Sequence, residues 1–303
     1  MILAAAVLVG LPTAFAINSE QSLNRALEEK ARAEQSLAAV EMRLAQNTPK
    51  PEPSDEPFES EPSDESFVPE HPYYEDLYPD FYAPQELTAS NATAGVIYLT
   101  FDDGPSARTD EILAVLAREN IKATFFVVGQ TSQANLQRMR DIAEQGHTIA
   151  MHSYSHDYRK IYASVEAFLD DMYQIFNQIR ETTGVTPTFF RFPGGSVNSY
   201  NYSIYEDIMA EMLRRGFVPC DWNMSAQDAT AKPLPVSDIV ANVLRTSNRS
   251  RGVVLMHDSA ARTTTVEALP EVIRQLRALG FRFEKLTPDV KPIVFGYRSF
   301  TAE

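Results

Sequence analysis

The sequence predicts an α/β chain: a distorted (β/α) barrel of about seven parallel strands, preceded by an N-terminal helix and a disordered acidic linker. Three observations carry this reading. From about residue 94, short apolar runs alternate with stretches of helical length, the pattern of strand–helix–strand units with right-handed crossovers. Gly146, Gly216 and Gly280 stand where three of those helices should stop. Polar side chains gather at the C-terminal ends of the strands, the pole at which barrels build their sites. Seven repeats in roughly 200 residues fit a closed or nearly closed barrel shorter than the full eightfold one. A doubly wound open sheet is the alternative.

The elements follow in chain order. Residues 2–16 form an uncharged apolar run, shorter than the ~20 residues of a membrane-spanning helix. Pro12 and the small-x-small stretch Ala14-Phe15-Ala16 give residues 1–17 the look of a signal peptide or membrane anchor, although a basic start is missing. Residues 18–46 contain no Gly or Pro, and Leu23, Ala26, Lys30, Ala33, Leu37, Val40 and Leu44 follow a 3–4 spacing. This thin seam fits a weak coiled coil, with self-association, or a solvated helix. Residues 47–90 are a Pro/Glu/Asp-rich linker in which Glu52-Pro53-Ser54-Asp55-Glu56 recurs as Glu61-Pro62-Ser63-Asp64-Glu65. Such sequence repels itself and stays extended. At its end Tyr73, Tyr74, Leu77, Tyr78, Phe81 and Tyr82 cluster, to latch the linker onto the domain or to stack on sugar rings. The folded domain spans 91–290, with strands expected at 96–101, 123–128, 147–152, 188–192, 217–222, 252–257 and 281–284. Helices are expected near 109–119, 132–145, 164–183, 203–215, 236–247 and 265–279, and residues 291–303 form a C-terminal tail.

Composition excludes several classes. The net charge is −14, but residues 47–90 hold twelve acids against Lys50 alone, so the acidity belongs to the tether and the rest is close to neutral. No basic face for nucleic acid follows. A single cysteine, Cys220, rules out an internal disulfide, and its apolar surroundings mark it as packing rather than as a nucleophile.

The chemistry lies in Thr100-Phe101-Asp102-Asp103-Gly104-Pro105 and His152-Ser153-Tyr154-Ser155-His156. Two adjacent carboxylates at a strand end are costly unless something positive holds them. Asp103, His152 and His156 make a three-ligand divalent site of the kind zinc uses in catalysis, and cobalt, manganese or nickel also suit such donors. Asp102 is then left as a general base. Arg191, closing the apolar run Thr188-Phe189-Phe190, is placed to pair with it and hold its pKa down. In the turn after Arg191-Phe192-Pro193, the Gly194 N–H is free to face a developing oxyanion. His257 ends Val253-Val254-Leu255-Met256 and is the natural acid for an amine leaving group. Asp228 could orient it and raise its pKa, with Asp258 as a substitute. Pro193, Gly194, Trp222 and Leu255 are the candidates for the substrate side. His147, directly after Gly146, reads as structural.

In order and together these segments resemble the polysaccharide deacetylases of the NodB-homology type, over about residues 94–287. Thr100–Pro105 is similar to the first family motif and His152–His156 to the second. Arg191-Phe192-Pro193-Gly194 is similar to the third, and Leu255-Met256-His257 to the fifth. The resemblance implies a distorted barrel and metal-dependent removal of acetyl groups from N-acetylated sugars. It implies Asp102 as base, Asp103, His152 and His156 as ligands, and His257 as acid. Two departures stand out. Gly194 replaces a usual Tyr, and Ala229 follows Asp228 where the fourth motif usually carries the Trp that lines the substrate groove.

The function expected is that of an exported polysaccharide N-deacetylase, a hydrolase of linear amides, secreted or anchored at the cell envelope. It would act on N-acetylglucosamine-type residues of a wall glycan, with peptidoglycan favoured over chitooligosaccharide. Contact with a membrane is expected only through the N-terminal segment. An O-acetyl esterase of the xylan type is a rival that the same site would serve. A non-catalytic glycan-binding barrel predicts loss of the base or a ligand, and all of them are present.

Overall fold

Strand β1 (Val96–Gly104) is the axis of the fold, and its residues alternate between two environments as the two-residue period of a strand requires. Val96 and Tyr98 face a smaller cluster with Phe126, Ala150, Phe189, Val218 and Val253. Ile97, Leu99 and Phe101 face the larger core beneath the helices. Both sides of β1 are buried, which is the reason the strands read as continuous apolar runs. The computed structural model describes residues 72–84, 93–247 and 250–295. The expected leader, the 18–46 helix and most of the acidic linker lie outside these residues.

Seven further strands follow: β2 (Thr124–Val128), β3 (Thr148–Ser153), β4 (Phe189–Phe190), β5 (Val218–Pro219), β6 (Met224–Ser225), β7 (Gly252–His257) and β8 (Arg282–Glu284). The intervening helices are α1 (Ala107–Arg118), α2 (Gln133–Glu144), the single turn α3 (Tyr158–Ile161), α4 (Val165–Thr183), α5 (Tyr205–Arg214), α6 (Val236–Arg245) and α7 (Thr263–Ala278). Serines 106, 132 and 164 cap α1, α2 and α4, each accepting a backbone N–H of the first turn, which is why these helices begin where they do. All pairings are parallel, in the order β5-β4-β3-β2-β1-β7-β6. One edge of β1 runs along β7 from residue 97 to 102. The other edge is shared by β8, at residues 96–98, and β2, from residue 100 on. Neighbours are sequential except at β1, which meets β7 on one edge and β8 on the other. This is a curled barrel opened at one seam, not a doubly wound sheet.

The seam explains a difference from the sequence reading. Of the strand expected at 217–222 only β5 forms, and a short strand that the sequence reading does not place, β6, follows on the other side of the opening. Pro219 has no N–H to give a neighbour. The carbonyls of Cys220 and Asp221 accept from the Arg191 guanidinium at 2.7 and 3.2 Å, and the Asp221 N–H donates to Ile293 O. A side chain and the segment at Ile293 take the hydrogen bonds that an adjoining strand would have used. Phe295 likewise donates its N–H to the Asp221 carboxylate at 2.7 Å, so the ordered chain continues past residue 290 against the domain.

The aromatic cluster before the barrel packs on α4 and α5. Phe81 is fully buried, and Tyr78 stacks on Tyr173 with ring centroids 4.3 Å apart. The buried Arg215 guanidinium donates to the carbonyls of Leu77 and Tyr78 at 2.7 and 3.0 Å, and to Glu211 at 2.6 Å. Among the described residues no helix is long and apolar enough to cross a membrane.

Candidate active site

At the C-terminal pole of the strands a cavity of about 290 Å³ is lined by Asp102, Asp103, His152, His156, His257, Leu255, Gly194, Trp222, Tyr158 and Ala229. Register sets its first pair. Asp102 on β1 lies opposite His257 on β7, adjacent positions on neighbouring strands ~4.8 Å apart. Alternation alone would send the next residue, Asp103, to the far face. The strand instead breaks register between Asp102 and Gly104, and Asp103 has φ +69°, in the left-handed region. This bulge re-aims the second carboxylate into the same cavity, at a conformational cost of roughly 1–3 kcal/mol. Gly104 follows because a Cβ there would stand 2.3 Å from Asp258 Oδ2.

The second segment is folded from outside itself. His152 ends β3, and His156 sits at φ +52° on the loop beyond it. Between them, Asp171 of α4 accepts Ser153 Oγ at 2.5 Å, Tyr154 N–H at 2.7 Å and Ser155 N–H at 2.8 Å. The result brings His152 Nε2 to 3.6 Å and His156 Nε2 to 3.2 Å from Asp103 Oδ1. One donor atom from each of the three lies within 4.8 Å of the others. His152 Nδ1 is 2.8 Å from the Arg191 carbonyl, which fixes Nδ1–H and leaves the Nε2 lone pair toward Asp103. Burial, then the neighbouring His156, lowers the His152 pKa to about 3, so the ring is neutral. A neutral imidazole oriented by a carbonyl, a second imidazole and a carboxylate form the donor set of a divalent cation site. These residues fit such an ion.

Arg191 is fully buried and gives NH1 to Asp102 Oδ1 at 2.7 Å and to Thr100 Oγ1 at 2.8 Å. Its guanidinium lies 4.0 Å from the centroid of Phe126. The ion pair is the one the sequence suggests, but its effect on Asp102 is only partial. Burial raises the Asp102 carboxyl above the ordinary aspartate value, against the pull of Arg191, His257 and His156. The second oxygen, Oδ2, is 3.8 Å from His152 Nε2, beyond hydrogen-bond reach.

His257 Nδ1 is 2.7 Å from Asp228 Oδ1, and Asp228 Oδ2 accepts the His257 N–H at 3.0 Å and Thr265 Oγ1 at 2.8 Å. Burial lowers the His257 pKa, but the Asp228 hydrogen bond and charge, helped by Asp102 and Asp103, outweigh it and leave the imidazole above its usual value. Asp258 does not substitute for Asp228. Its carboxyl turns away to Thr109 Oγ1 at 2.6 Å and Ser106 Oγ at 3.3 Å, and burial pushes it up to about 7.

The remaining candidates separate. Gly194 reaches the cavity and, among the described residues, its N–H meets no acceptor. Pro193 is buried behind it, its carbonyl taken by Tyr162 Oη at 2.8 Å and Asn198 Nδ2 at 3.2 Å, and it does not line the cavity. Leu255 and Trp222 line it, with Trp222 edge-on to Phe295 at 4.9 Å. Cys220 is buried and its thiol is pushed up to about 11, as inert packing requires. His147 accepts the Ala123 N–H at 3.0 Å, far from these groups in the fold. Sequence reasoning passed over Asp171 and Tyr158. Asp171 could have been found as the one acid on the otherwise apolar face of α4, whereas Tyr158 carries no signal beyond following His156 by two positions.

Related sequences and architectures occur in known proteins. A family model described as polysaccharide deacetylase matches residues 89–213. The chain is 32% identical over 197 residues to a peptidoglycan-N-acetylglucosamine deacetylase of Bacillus cereus, a match covering 62% of this chain and 68% of the relative. It is 36% identical over 200 residues to a bifunctional xylanase/deacetylase of Pseudobutyrivibrio xylanivorans, covering 62% of this chain and 29% of that one. The crystal structure of the catalytic domain of peptidoglycan N-acetylglucosamine deacetylase from Eubacterium rectale matches with a TM-score of 0.62 at 39% identity, over 66% of this chain and 91% of that one. By its motifs, its opened barrel and these relatives, the chain belongs to the polysaccharide deacetylase family.

Proposed function

We propose that the domain is a metal-dependent hydrolase that removes N-acetyl groups from N-acetylglucosamine-type residues of a cell-wall glycan, with peptidoglycan the favoured substrate. The observation that carries the reading is the pairing of Asp102 with His257 across β1 and β7, beside the Asp103/His152/His156 cluster. A base with a free oxygen and an acid with a raised pKa stand side by side at one cavity.

A divalent cation held by Asp103, His152 and His156, zinc before cobalt, manganese or nickel, would polarise the acetyl carbonyl and acidify a water. Asp102 Oδ2 takes a proton from the attacking water as its oxygen bonds to the carbonyl carbon. Arg191 keeps Oδ1 engaged, so the base stays oriented. The Gly194 N–H donates to the carbonyl oxygen as charge develops there. Asp228 holds His257 Nδ1–H, so Nε2–H is the proton given to the nitrogen as the C–N bond breaks. Amide and water thus yield acetate and a glycan ammonium group.

The peptidoglycan deacetylases of Bacillus cereus and Eubacterium rectale support the substrate class. The leader-like residues 1–17 and the acidic tether support a place outside the cytoplasm at the cell envelope, with residues 18–46 a candidate for self-association. The xylanase/deacetylase relative keeps one rival in view, O-acetyl ester hydrolysis on xylan. Acetate release from peptidoglycan, chitooligosaccharide and acetylxylan, measured in parallel on the chelated and the zinc-reloaded enzyme, separates these readings. The expected result is release from peptidoglycan that chelation abolishes and zinc restores. Release from acetylxylan alone, or release indifferent to chelator, would contradict it.

A further inference from the structure

The cavity lacks aromatic side chains at two positions, Gly194 and Ala229, yet it has an aromatic wall from another source. Tyr158, at the start of the single turn α3, lines the cavity beside His156 and Gly194. Its ring occupies the space a side chain at residue 194 would need. A Cβ on Gly194 would stand 2.8 Å from Tyr158 Cε1 and 3.2 Å from its Oη. Gly194 also has φ +79°, so both the backbone and the neighbouring ring require glycine there. Ala229 offers only a methyl group to the same cavity.

Tyr158 is held from several sides. Its ring is edge-on to His156 at 5.4 Å, to Tyr162 at 6.0 Å and to Tyr200 at 5.2 Å. Tyr200 is 50% exposed, on a loop pinned by Asn198 and Asn201. Among the described residues the Tyr158 hydroxyl has no hydrogen-bond partner, although its ring is half-buried. A rigid aromatic with an unused polar tip, bordering a cavity and continued outward by an exposed aromatic, matches what an amino-sugar presents: an apolar C–H face edged by hydroxyl and amide groups.

We propose that Tyr158, backed by Tyr200, is the sugar-stacking wall of this site and sets its preference for a glycan over a small acetyl compound. The claim rests on the deacetylase reading above and deepens it. Tyr158 is thus a substrate-binding residue, distinct from the groups that move protons.

The test uses N-acetylated chitotetraose as the glycan and para-nitrophenyl acetate as a substrate without a sugar. Calorimetric binding, steady-state kinetics and metal content are measured for wild type, Tyr158→Ala, Tyr158→Phe and Tyr200→Ala. Tyr158→Ala is expected to weaken tetramer binding and raise KM roughly tenfold, while kcat changes by less than about threefold. Tyr158→Phe keeps the stacking face and should stay within about threefold of wild type. Tyr200→Ala, at an exposed position, should raise KM by about threefold with folding untouched. For Tyr158→Ala and Tyr200→Ala the change on the tetramer should exceed the change on the ester, and metal content should stay at the wild-type value. Tyr158→Ala binding the tetramer as tightly as wild type would overturn the proposal, as would equal losses on the tetramer and the ester, or loss of metal. Wild type that binds the tetramer but releases no acetate would sink the deacetylase reading and leave the stacking claim to the binding data.

Discussion

Asp102→Asn is expected to lower kcat by about 10²- to 10⁴-fold, the range a positioned general base contributes, while the protein still takes up one divalent ion per chain. Asparagine keeps the shape and the oxygen that accepts from Arg191, but it has no basic oxygen to face the attacking water. The candidate ligand set of Asp103, His152 and His156 is untouched by the change. Arg191 loses its carboxylate partner yet retains Thr100 Oγ1 and the carbonyls of Cys220 and Asp221. Removing one partner of a buried ion pair costs roughly 3–5 kcal/mol, and those remaining acceptors reduce that cost. The variant should therefore fold with a lowered Tm, and circular dichroism on the same sample separates lost chemistry from lost structure. Asp103→Ala is the contrast, losing ion and activity together. A metal-free Asp102→Asn protein would reverse the roles given to the two carboxylates.

Asp228→Asn should lower kcat by a comparable factor and also change the pH profile. In the proposed role His257 carries a proton to expel the amine, so activity is expected to fall as pH rises through its pKa. Asp228 raises that pKa by its hydrogen bond and its charge. Without the charge, the proton is lost at lower pH, and the alkaline limb of kcat/KM moves toward acid. The acid limb, set by the base, should move much less. The substrate sharpens the result. An ester leaves as a better leaving group and needs the acid less, so Asp228→Asn should cost acetylxylan hydrolysis far less than amide hydrolysis. An alkaline limb that stays in place would remove His257 from the role of acid.

Much of this was legible in the sequence because it is local. The helix stops at Gly146, Gly216 and Gly280, the apolar strands and the polar residues at their ends are properties of short windows. Six helices appear where the alternation places them, and the ion pair of Arg191 with Asp102 follows from both closing buried strands. What was not legible depends on contacts between distant segments. Nothing near residue 152 announces that Asp171 would fold the loop after β3, because the two meet only when α4 packs on the sheet. The left-handed turn at Asp103 is invisible in a run that reads as plain strand. The break at residues 220–223 arises because a side chain from β4's end and the segment at Ile293 supply the hydrogen bonds. Asp258 was ambiguous for the same reason. Its neighbour in sequence is His257, but its partners in space are the first residues of α1.

The expectation that Arg191 would hold the Asp102 pKa down also shows where sequence arguments stop. A charge partner can be inferred from a motif, whereas the depth of burial that opposes it cannot. For a base the net result is useful, since a carboxylate lifted above its ordinary value accepts a proton more readily while the guanidinium holds it in place.

The most direct measurement is anomalous diffraction from crystals of the zinc-loaded protein, collected on both sides of the zinc absorption edge. The account predicts a single strong peak bonded to the Asp103 carboxylate and to Nε2 of His152 and His156, with Asp102 left unbonded and still paired to Arg191. A peak that takes Asp102 as a ligand, or no peak within this cluster while the crystals remain active, would contradict it.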